Sequence, residues 1–343
     1  GRARARAAGV NLVLVPWLVR PINPLKDVPA LLALYRFIKK GGFSIVHTHS
    51  SKAGILGRVA ARMAGVPVVV HTLHSLVFHE YQGRFKNRLY IVLKRLCAPL
   101  TDCYISVCDA VTRGALKQGI SSPDRYVTVY SGIHLDPFLK ISEQLTPELA
   151  KRRLGLDPAR PVIGKVARLY HQKGHDLFLR AAARIAAEHP EALFLLVGDG
   201  ILRQALDQLA RDLGIQDRVV FAGRVDPSEV PACMRAMDVV VHTSIREGVA
   251  RVIPQAYAVG VPVVALNLDG APEVIEDGRT GFLIEPGSEA SVAEAVCALL
   301  RSSQLRHEMA LRGRAIVLRK FPVDVMVEHI DQVYLALLAR KGL

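Results

Sequence analysis

The sequence predicts an α/β fold made of two doubly wound domains that face each other across a cleft. Along its 343 residues, short runs of β-branched and aliphatic residues alternate with amphipathic segments, as in parallel sheets joined by right-handed crossover helices. This alternation lapses once, between Ser131 and Arg160, where glycine, proline and charged residues dominate. We interpret the lapse as the hinge between an N-terminal domain, residues 1–140, and a C-terminal domain, residues 141–320.

The N-terminal domain is expected to lack the opening strand and glycine-rich loop of a doubly wound domain, because nothing before Val10 supplies them. Its predicted strands are 10–15, 43–47, 66–71, 103–107 and 126–129, and its predicted helices are 25–40, 53–64, 84–96 and 109–118. The last helical stretch, 321–343, is expected to return to this domain. A fragment, a processed form and an inactive form are all consistent with such a start.

The C-terminal domain repeats the alternation. Its predicted strands are 161–167, 193–197, 219–222, 239–242 and 263–266, each followed by a helix, and the chain is helical after Val292. Doubly wound sheets bind ligands at the carboxyl ends of their strands. The loops that follow these strands are therefore the first place to look for a site.

Composition limits the choice of partner and compartment. The formal net charge of +14 favours an anionic partner, such as nucleic acid, acidic lipid headgroups or a phosphorylated substrate. We expect neither a transmembrane helix nor a signal peptide, because no early apolar stretch is long enough. Most of the five cysteines lie in apolar contexts without the paired spacing of a zinc site. This predicts buried thiols outside disulfides, a reducing compartment and a cytoplasmic protein.

The stretch from Glu247 to Pro262 carries the strongest functional signal. It follows a β-branched run that predicts a buried strand, and it predicts a helix with Pro254 near its first turn and a stop at Gly260. Gly248 is expected to give the preceding turn its freedom of φ. A helix that opens at the carboxyl end of a parallel strand presents unpaired N–H groups to phosphate. With the acid Glu247 beside it, the stretch predicts a sugar bound through its phosphates.

The loop after the first strand of the C-terminal domain is a second candidate. Arg168 and Lys173 are two cations five residues apart, a guanidinium fork and a point charge that together can grip a diphosphate. An ordinary solvated loop is the alternative, and Glu247 at the same sheet edge favours the diphosphate. Three other loops follow strands of this domain. Gly198, Asp199 and Gly200 form a tight turn, and the loop of Arg224 and Val225 can contact a nucleobase. The third loop ends at Glu273, whose negative charge can simply match the dipole of the helix that it begins.

Four histidines stand where two strands of the N-terminal domain end: His47, His49, His71 and His74. Imidazoles hydrogen-bond sugar hydroxyls or act as acid or base. A metal site is disfavoured because no carboxylate accompanies them at ligand spacing. We expect structural or substrate-contacting histidines, with His74 facing the substrate.

The predicted helix 84–96 mixes cations with aromatic and aliphatic residues. Its apolar residues are expected to face the core. The remaining basic face is either simply solvated or lies on an anionic membrane, which would make the protein peripheral on the inner face of the cell membrane. Nucleic acid is not expected, because aromatic platforms and known nucleic-acid modules are lacking.

These motifs resemble those of the retaining glycosyltransferases of family 4, whose GT-B fold contains two Rossmann-like domains. The resemblance is strong in the C-terminal domain and weak in the N-terminal domain, where it is to members that build bacterial surface polysaccharides. It is carried by 164–174, 197–200, 221–225, 244–262 and 270–282, and more weakly by 45–57 and 66–81. The family hallmark is a Glu, seven residues and a second Glu; these two positions hold Glu247 and Gln255.

The resemblance implies a role for each candidate. Arg168 and Lys173 would hold the donor diphosphate, and Glu247 would contact hydroxyls of the donor sugar. The helix-start amides that would cap the diphosphate are those of Gly248, Val249, Ala250 and Arg251. Gln255 would take the ribose more weakly than Glu, because an amide has one acceptor oxygen where a carboxylate has two. The Val-Ala pair after Gly248 departs from the family's commoner pairs and leaves the sugar specificity open.

The predicted activity is transfer of a sugar from a UDP-sugar to a hydroxyl of a glycan or lipid-linked glycan, and the resemblance implies retention at the anomeric carbon. No metal or other cofactor is expected, because two cations and a helix start can stabilise the leaving diphosphate. The alternatives are a UDP-sugar epimerase of the same fold, a truncated or inactive nucleotide-sugar-binding homologue, and a basic module that binds nucleic acid or membrane.

Overall fold

A computed structural model describes residues 2–19, 21–78 and 83–343, which form two compact units. The first unit comprises Gly1–Val107, Val111–Val129 and His329–Leu343, and the second comprises Cys108–Ala110 and Tyr130–Glu328. Each unit has a parallel sheet, so the predicted α/β class is confirmed. The predicted domains were residues 1–140 and 141–320, with 321–343 returning to the first domain. These limits remain a prediction, because contact units and functional domains need not have the same boundaries.

The first unit contains a four-stranded sheet in the order β1-β2-β3-β4. Its strands are β1 (Ile45–His49), β2 (Val68–Leu73), β3 (Cys103–Ser106) and β4 (Tyr126–Thr128). The helices in this part of the chain are α1 (Arg2–Ala7), α2 (Pro24–Gly41), α3 (Ser51–Met63), α4 (Arg84–Leu96) and α5 (Asp109–Lys117). All six residues of β2 are buried between neighbouring strands and helices, as expected of an inner parallel strand.

Three predictions for the first unit need correction. Residues 10–15 form no strand, because the described sheet offers them no partner and β-propensity has no effect without one; Val10 is 54% exposed. The strands predicted at 43–47 and 66–71 lie two residues later in the chain, since the ladder continues through polar residues as far as the pair His49 and Thr72.

Helix α4 also differs from the prediction. Its apolar residues were expected to face the core, yet four of them form one exposed stripe. Their exposed fractions are 84% for Phe85, 41% for Leu89, 42% for Val92 and 69% for Leu96. The spacing of four, three and four residues places them on one helix face, and the cation Lys94 is buried on the other side.

The second unit contains a six-stranded parallel sheet in the order β10-β9-β8-β5-β6-β7. Its strands are β5 (Val162–Val166), β6 (Leu193–Val197), β7 (Val219–Gly223), β8 (Val239–His242), β9 (Val263–Leu266) and β10 (Gly281–Ile284). From β5 the chain runs outward through β6 and β7, then crosses to the other side of β5 for β8. The carboxyl ends of β5 and β8 therefore border a topological switch point, where doubly wound sheets bind their ligands.

The remaining helices are α6 (Asp136–Gln144), α7 (Pro147–Arg153), α8 (His175–Glu188), α9 (Arg203–Asp212), α10 (Val230–Arg235), α11 (Val252–Ala258), α12 (Glu289–Arg301), α13 (Ser303–Lys320) and α14 (Val323–Ala339). Helices α6 and α7 occupy the stretch 131–160, which was predicted as an irregular hinge. Pro137 and Pro147 lie in the first turns of these helices, where proline is compatible with helix. Strand β10, in which two of the four residues are buried, was not predicted.

The core of the second unit consists of two apolar layers, one on each face of its sheet. Successive residues of a strand point to opposite faces, so Val240 lies in one layer while Val239 and Val241 lie in the other. All five cysteines of the chain are buried and lie outside any disulfide, which confirms the prediction of buried thiols. No helix in the described ranges is both long and apolar enough to cross a membrane.

Truncation of a core side chain on β6 tests this packing. Phe194 is 0% exposed, so Phe194→Ala is expected to lower the free energy of unfolding by about 3–5 kcal/mol. Phe85→Ala, which truncates a side chain that is 84% exposed, is the control and should change it by less than about 0.5 kcal/mol. Urea denaturation followed by circular dichroism measures both, and equal effects would contradict the burial described here.

Candidate active site

The loop after β5 and the loop after β8 meet at the switch point of the second unit. Lys173 lies in the first loop and Glu247 in the second, and the Lys173 ammonium forms an ion pair with the Glu247 carboxylate. The two side chains are 20% and 28% exposed, so a ligand can reach them. The loops come together because β5 and β8 are neighbours, with Ile163 opposite Val239. Both residues thus lie at one sheet edge, as the sequence analysis expected.

Arg168 lies in the same loop as Lys173 and is exposed. Its guanidinium carbon lies 5.4 Å from the ring centroid of Tyr170, within the range of a cation–π interaction. The carbonyl oxygen of Arg168 lies 3.0 Å from Nε2 of His175, and this hydrogen bond ties the loop to the start of α8. The side chain of His175 is 1% exposed. Because burial lowers the pKa of His175 to about 4, this imidazole is neutral at pH 7.

A buried hydrogen-bond relay joins the two loops below the ion pair. The Lys165 ammonium on β5 donates to Oγ1 of Thr243 at 2.7 Å, and the Thr243 hydroxyl donates to the carbonyl of Gly174 at 2.6 Å. Gly174 has a φ of +60°, and an added Cβ would lie 2.0 Å from the Thr243 carbonyl oxygen. Only glycine fits this contact, so the backbone beside Lys173 is fixed against the loop that carries Glu247.

The turn of Gly198, Asp199 and Gly200 supports the Arg168 loop from the side of β6. The Leu169 N–H donates to the Asp199 carbonyl at 3.0 Å. An added Cβ on Gly198, whose φ is +143°, would lie 2.0 Å from the carbonyl oxygen of Ala167. The Gly-Asp-Gly motif was only a weak functional signal in the sequence. In the structure its glycine at 198 allows the loop after β6 to pack closely on the loop after β5.

The backbone that follows Glu247 is held by the next loop of the sheet. Asp269 Oδ2 accepts a hydrogen bond from the Glu247 N–H at 2.6 Å, and burial raises the pKa of this carboxyl. The Gly248 carbonyl accepts a hydrogen bond from the Gly270 N–H at 2.9 Å. Gly248 does not have positive φ, so the prediction about its conformational freedom is wrong. The close approach is at Gly270 instead, whose added Cβ would lie 2.5 Å from the Gly248 carbonyl oxygen.

Helix α11 begins after this turn and is short. Val252 is its first residue, with Arg251 at the N-cap position, so Gly248, Val249 and Ala250 lie in the turn before the helix. Gln255 lies within the helix and is partly exposed. With only seven residues, the helix has a small macrodipole, and any anion near its start would depend on individual N–H groups.

Arg224 and Val225 follow β7, one strand further along the same edge. The Gly198 N–H donates to the Gly223 carbonyl at 2.9 Å, which brings this loop beside the Gly198 turn. Arg224 is exposed and Val225 partly buried. The nearby guanidinium of Arg203 stacks 3.8 Å from the ring centroid of Phe221.

Glu273 has a structural role that was left open by the sequence. Its carboxylate accepts hydrogen bonds from the backbone N–H groups of Asp109 and Ala110, both at 2.8 Å. It also accepts one from the Tyr130 hydroxyl at 3.0 Å. Glu273 therefore holds the start of α5 and the Tyr130 side chain by hydrogen bonds, and its position is not explained by the dipole of its own short helix alone.

The histidines of the first unit form a stacked row at the ends of β1 and β2. His49 Nδ1 and His74 Nε2 are 3.1 Å apart, so one imidazole donates and the other accepts. The rings of His47 and His49 stack with centroids 4.4 Å apart. Burial, reinforced by the two neighbouring imidazoles, lowers the pKa of His47 to about 4, and burial also lowers the pKa of His74.

Only His49 differs in position from the prediction, because the predicted strands 43–47 and 66–71 already end at His47 and His71. His47, His49 and His71 lie within the strands and not in loops, and only His74 follows a strand. His71 is 1% exposed and lies 2.9 Å from Oγ1 of Thr48. Burial lowers its pKa to about 2, which makes it a neutral packing residue.

One group of metal-type ligands lies elsewhere in the second unit. One ligand atom each from Glu188, His189 and Cys297 lies within 4.8 Å of the others. Arg301 already forms an ion pair with Glu188 at 2.5 Å, and burial raises the pKa of the Cys297 thiol to about 11. A protonated thiol and an arginine-paired carboxylate are poor metal ligands.

Sequence analysis missed Lys165 and Asp269, although a signal for the first was present. A single cation in the middle of an apolar strand pattern is unusual unless it is paired. The role of Asp269 arises only from tertiary contact with the Glu247 loop.

Substitution of Gly198 tests whether the Arg168 loop depends on this close packing. Gly198→Ala adds both backbone strain and a clash with a carbonyl oxygen, and should lower the free energy of unfolding by about 3 kcal/mol or more. Gly214→Ala is the matched control, since Gly214 has a φ of +68° but nothing within 4 Å of its added Cβ; it should cost about 1–2 kcal/mol. Thermal melts compare the two, and a smaller cost at Gly198 would contradict the packing.

Comparison with known proteins extends over both units. The family described as "Glycosyl transferases group 1" matches residues 148–315, and the "Glycosyl transferase 4-like domain" matches residues 1–132. The chain is 31% identical over 335 residues to the UDP-Gal:alpha-D-GlcNAc-diphosphoundecaprenol alpha-1,3-galactosyltransferase of Escherichia coli, covering 97% of this chain and 85% of the relative. It is 30% identical to a D-inositol 3-phosphate glycosyltransferase of Acidothermus cellulolyticus, covering 94% of this chain and 73% of that relative.

Solved structures show the same fold at lower identity. Anabaena HepE in complex with UDP-glucose superposes with a TM-score of 0.81 at 23% identity, covering 98% of this chain and 88% of that one. Sucrose-phosphate synthase of Thermosynechococcus elongatus gives a TM-score of 0.81 at 22% identity, covering 96% and 83%. Together with the two family matches and the E. coli relative, these show that the chain belongs to the group 1, family 4-like glycosyltransferases of GT-B fold, enzymes that transfer a sugar from a nucleotide sugar.

Proposed function

We propose that this glycosyltransferase uses a UDP-sugar and transfers the sugar, with retention, to a hydroxyl of a glycan or lipid-linked glycan in surface polysaccharide synthesis. The observation that carries the proposal is the contact between Lys173 and Glu247 at the switch point. An accessible cation and carboxylate side by side suit a diphosphate joined to a sugar. The ammonium donates to phosphate oxygens and the carboxylate accepts from sugar hydroxyls.

Arg168 and Lys173 form the proposed diphosphate clamp. As the bond between sugar and phosphate breaks, negative charge grows on the leaving diphosphate, and fixed cations stabilise that charge. The backbone N–H groups from Gly248 to Arg251 supplement them. The proposal assigns no metal ion to this step.

The remaining candidate residues contact different parts of the donor. Glu247 contacts sugar hydroxyls, Gln255 contacts the ribose, and the loop of Arg224 and Val225 contacts the base. His74, neutral and exposed in the first unit, contacts a substrate hydroxyl. The names of relatives support a UDP-sugar: HepE is known in complex with UDP-glucose, and the E. coli relative is a UDP-Gal enzyme acting on a diphosphoundecaprenol-linked sugar.

Removal of either clamp cation tests the leaving-group assignment. Arg168→Ala and Lys173→Ala are each expected to reduce kcat by about 10²–10³-fold, corresponding to a few kcal/mol of barrier. Arg180→Ala, which removes an exposed arginine from α8, is the control and should leave turnover unchanged. The measurement is sugar transfer from UDP-sugars to a diphosphoundecaprenol-linked sugar, with the anomeric configuration of the product read by NMR. Wild-type turnover in both clamp variants would refute the assignment, and conversion of UDP-sugar without acceptor would favour an epimerase.

We also propose that α4 lies on an anionic membrane. Its exposed stripe of Phe85, Leu89, Val92 and Leu96 is bordered by the exposed cations Arg84, Lys86, Arg88 and Arg95. An apolar stripe flanked by cations fits the boundary between acyl chains and acidic headgroups. A lipid-linked acceptor would be presented at the same surface.

Vesicle flotation tests the membrane proposal. Wild-type protein is expected to float with phosphatidylglycerol vesicles, to bind phosphatidylcholine vesicles much less, and to be released by salt. The double variant Phe85→Ser, Leu96→Ser removes the two most exposed apolar groups of the stripe and should reduce binding at least tenfold, since each buried apolar side chain contributes about 1.5–3 kcal/mol. Leu311→Ser, on an exposed leucine of α13, is the control. Unchanged binding of the double variant would rule out this face.

A further inference from the structure

Lys165 has no role in the proposed function, although it lies on the strand that leads directly into the clamp loop. It is 1% exposed. The hydrogen bond from its ammonium to Oγ1 of Thr243, at 2.7 Å, is the single one that the described residues give it. An ammonium has three N–H donors, and a buried charge is costly unless it is well paired. The site therefore holds a cation whose charge is poorly compensated.

The charged groups around Lys165 come from four elements. Lys173 and Glu247, in the loops after β5 and β8, and Asp176 on α8 all act on it electrostatically. His175 on α8 and His242 on β8 also lie within its field. Burial lowers the pKa of both histidines, so they carry no charge at pH 7. Glu247 is already paired with Lys173.

These surroundings make the charge of Lys165 variable near neutral pH. Burial, reinforced by the neighbouring charge of Lys173, lowers its pKa to about 7, and Glu247 and Asp176 act in the opposite direction. A bound diphosphate would add negative charge beside Lys173. Negative charge nearby favours the protonated amine.

We infer that Lys165 is a buried positioning residue of the diphosphate clamp, which holds Gly174 through Thr243 and takes up a proton when a nucleotide sugar binds. The inference rests on the proposed function, because it takes the diphosphate as ligand. The proton comes from solvent and bonds to the lone pair of the neutral amine, and no other bond changes. Lys165 acts on the donor through the loop and through its charge, without touching it.

Calorimetry on the wild-type protein tests this directly. UDP-glucose, UDP-galactose and UDP-N-acetylglucosamine are titrated at pH 7 in PIPES and in Tris, whose ionisation enthalpies differ. The diphosphate of a sugar ester does not titrate near neutral pH, so any difference in apparent enthalpy between buffers reports a proton taken up by protein. If the ligand raises the pKa of Lys165 by about one unit, affinity should fall about fivefold from pH 6 to pH 8.

Two variants assign the proton. Lys165→Met keeps an unbranched buried side chain but removes the charge; it should bind more weakly than wild type at pH 6, approach it at pH 8, and lose the buffer dependence. Lys151→Met is the matched control, because Lys151 is also buried, at 5% exposed, but is paired with Asp238 at 2.8 Å. It should retain the wild-type proton uptake.

The outcomes separate this inference from the proposed function. If wild-type protein binds none of the three nucleotide sugars, both the proposed function and this inference are refuted. Binding with neither buffer dependence nor pH dependence sinks the inference alone. An equal loss of affinity at pH 6 and pH 8 in Lys165→Met would reduce Lys165 to a packing role and also overturn it. Should that variant not fold, wild-type calorimetry without buffer dependence or pH dependence would still overturn the inference.

Discussion

The pairing of β5 with β8 is the constraint on which the site depends. Ile163 lies opposite Val239 and Gly164 opposite Val240. This short contact brings together two loops whose residues Lys173 and Glu247 are 74 positions apart in the chain. Side chains alternate across a strand, so a slip of one residue would reverse the face of every group on it. The positions of Lys165 below the edge and of Lys173 and Glu247 at the edge all follow from this register.

Close backbone contacts hold the loops once the strands have placed them. Glycines at 174, 198 and 270 allow one loop to approach a carbonyl oxygen of another within distances that a Cβ would forbid. Such contacts leave little freedom to the side chains that the loops carry. Electrostatic stabilisation of a leaving group is most effective when donors are fixed before the reaction, and these backbone contacts fix the loops that carry the proposed donors.

Local pattern was enough to predict much of the fold. Strands 193–197, 239–242 and 263–266 have the predicted limits, because they are continuous apolar runs in a buried parallel sheet. Two of the failures share a physical cause, which is dependence on a partner. Residues 10–15 look like a strand but pair with no strand in the described part of the chain, and α4 has an ordinary amphipathic pattern whose apolar side is exposed. For the site, motif spacing indicated Arg168, Lys173 and Glu247. The contact of Asp269 with the Glu247 backbone is tertiary and no local pattern encodes it, whereas Lys165 stood out locally as a single cation in an apolar strand but its hydrogen-bond partner Thr243 did not.

The burial of every cysteine has a practical consequence. A thiol reacts as the thiolate at an accessible position, and Cys97, Cys103, Cys108, Cys233 and Cys297 are all buried. A cysteine introduced on an exposed helix face, for example in place of Arg180, would therefore be the accessible thiol of the folded chain. A fluorophore attached there with maleimide would give a signal without background labelling. The native cysteines therefore need not be replaced before such an experiment.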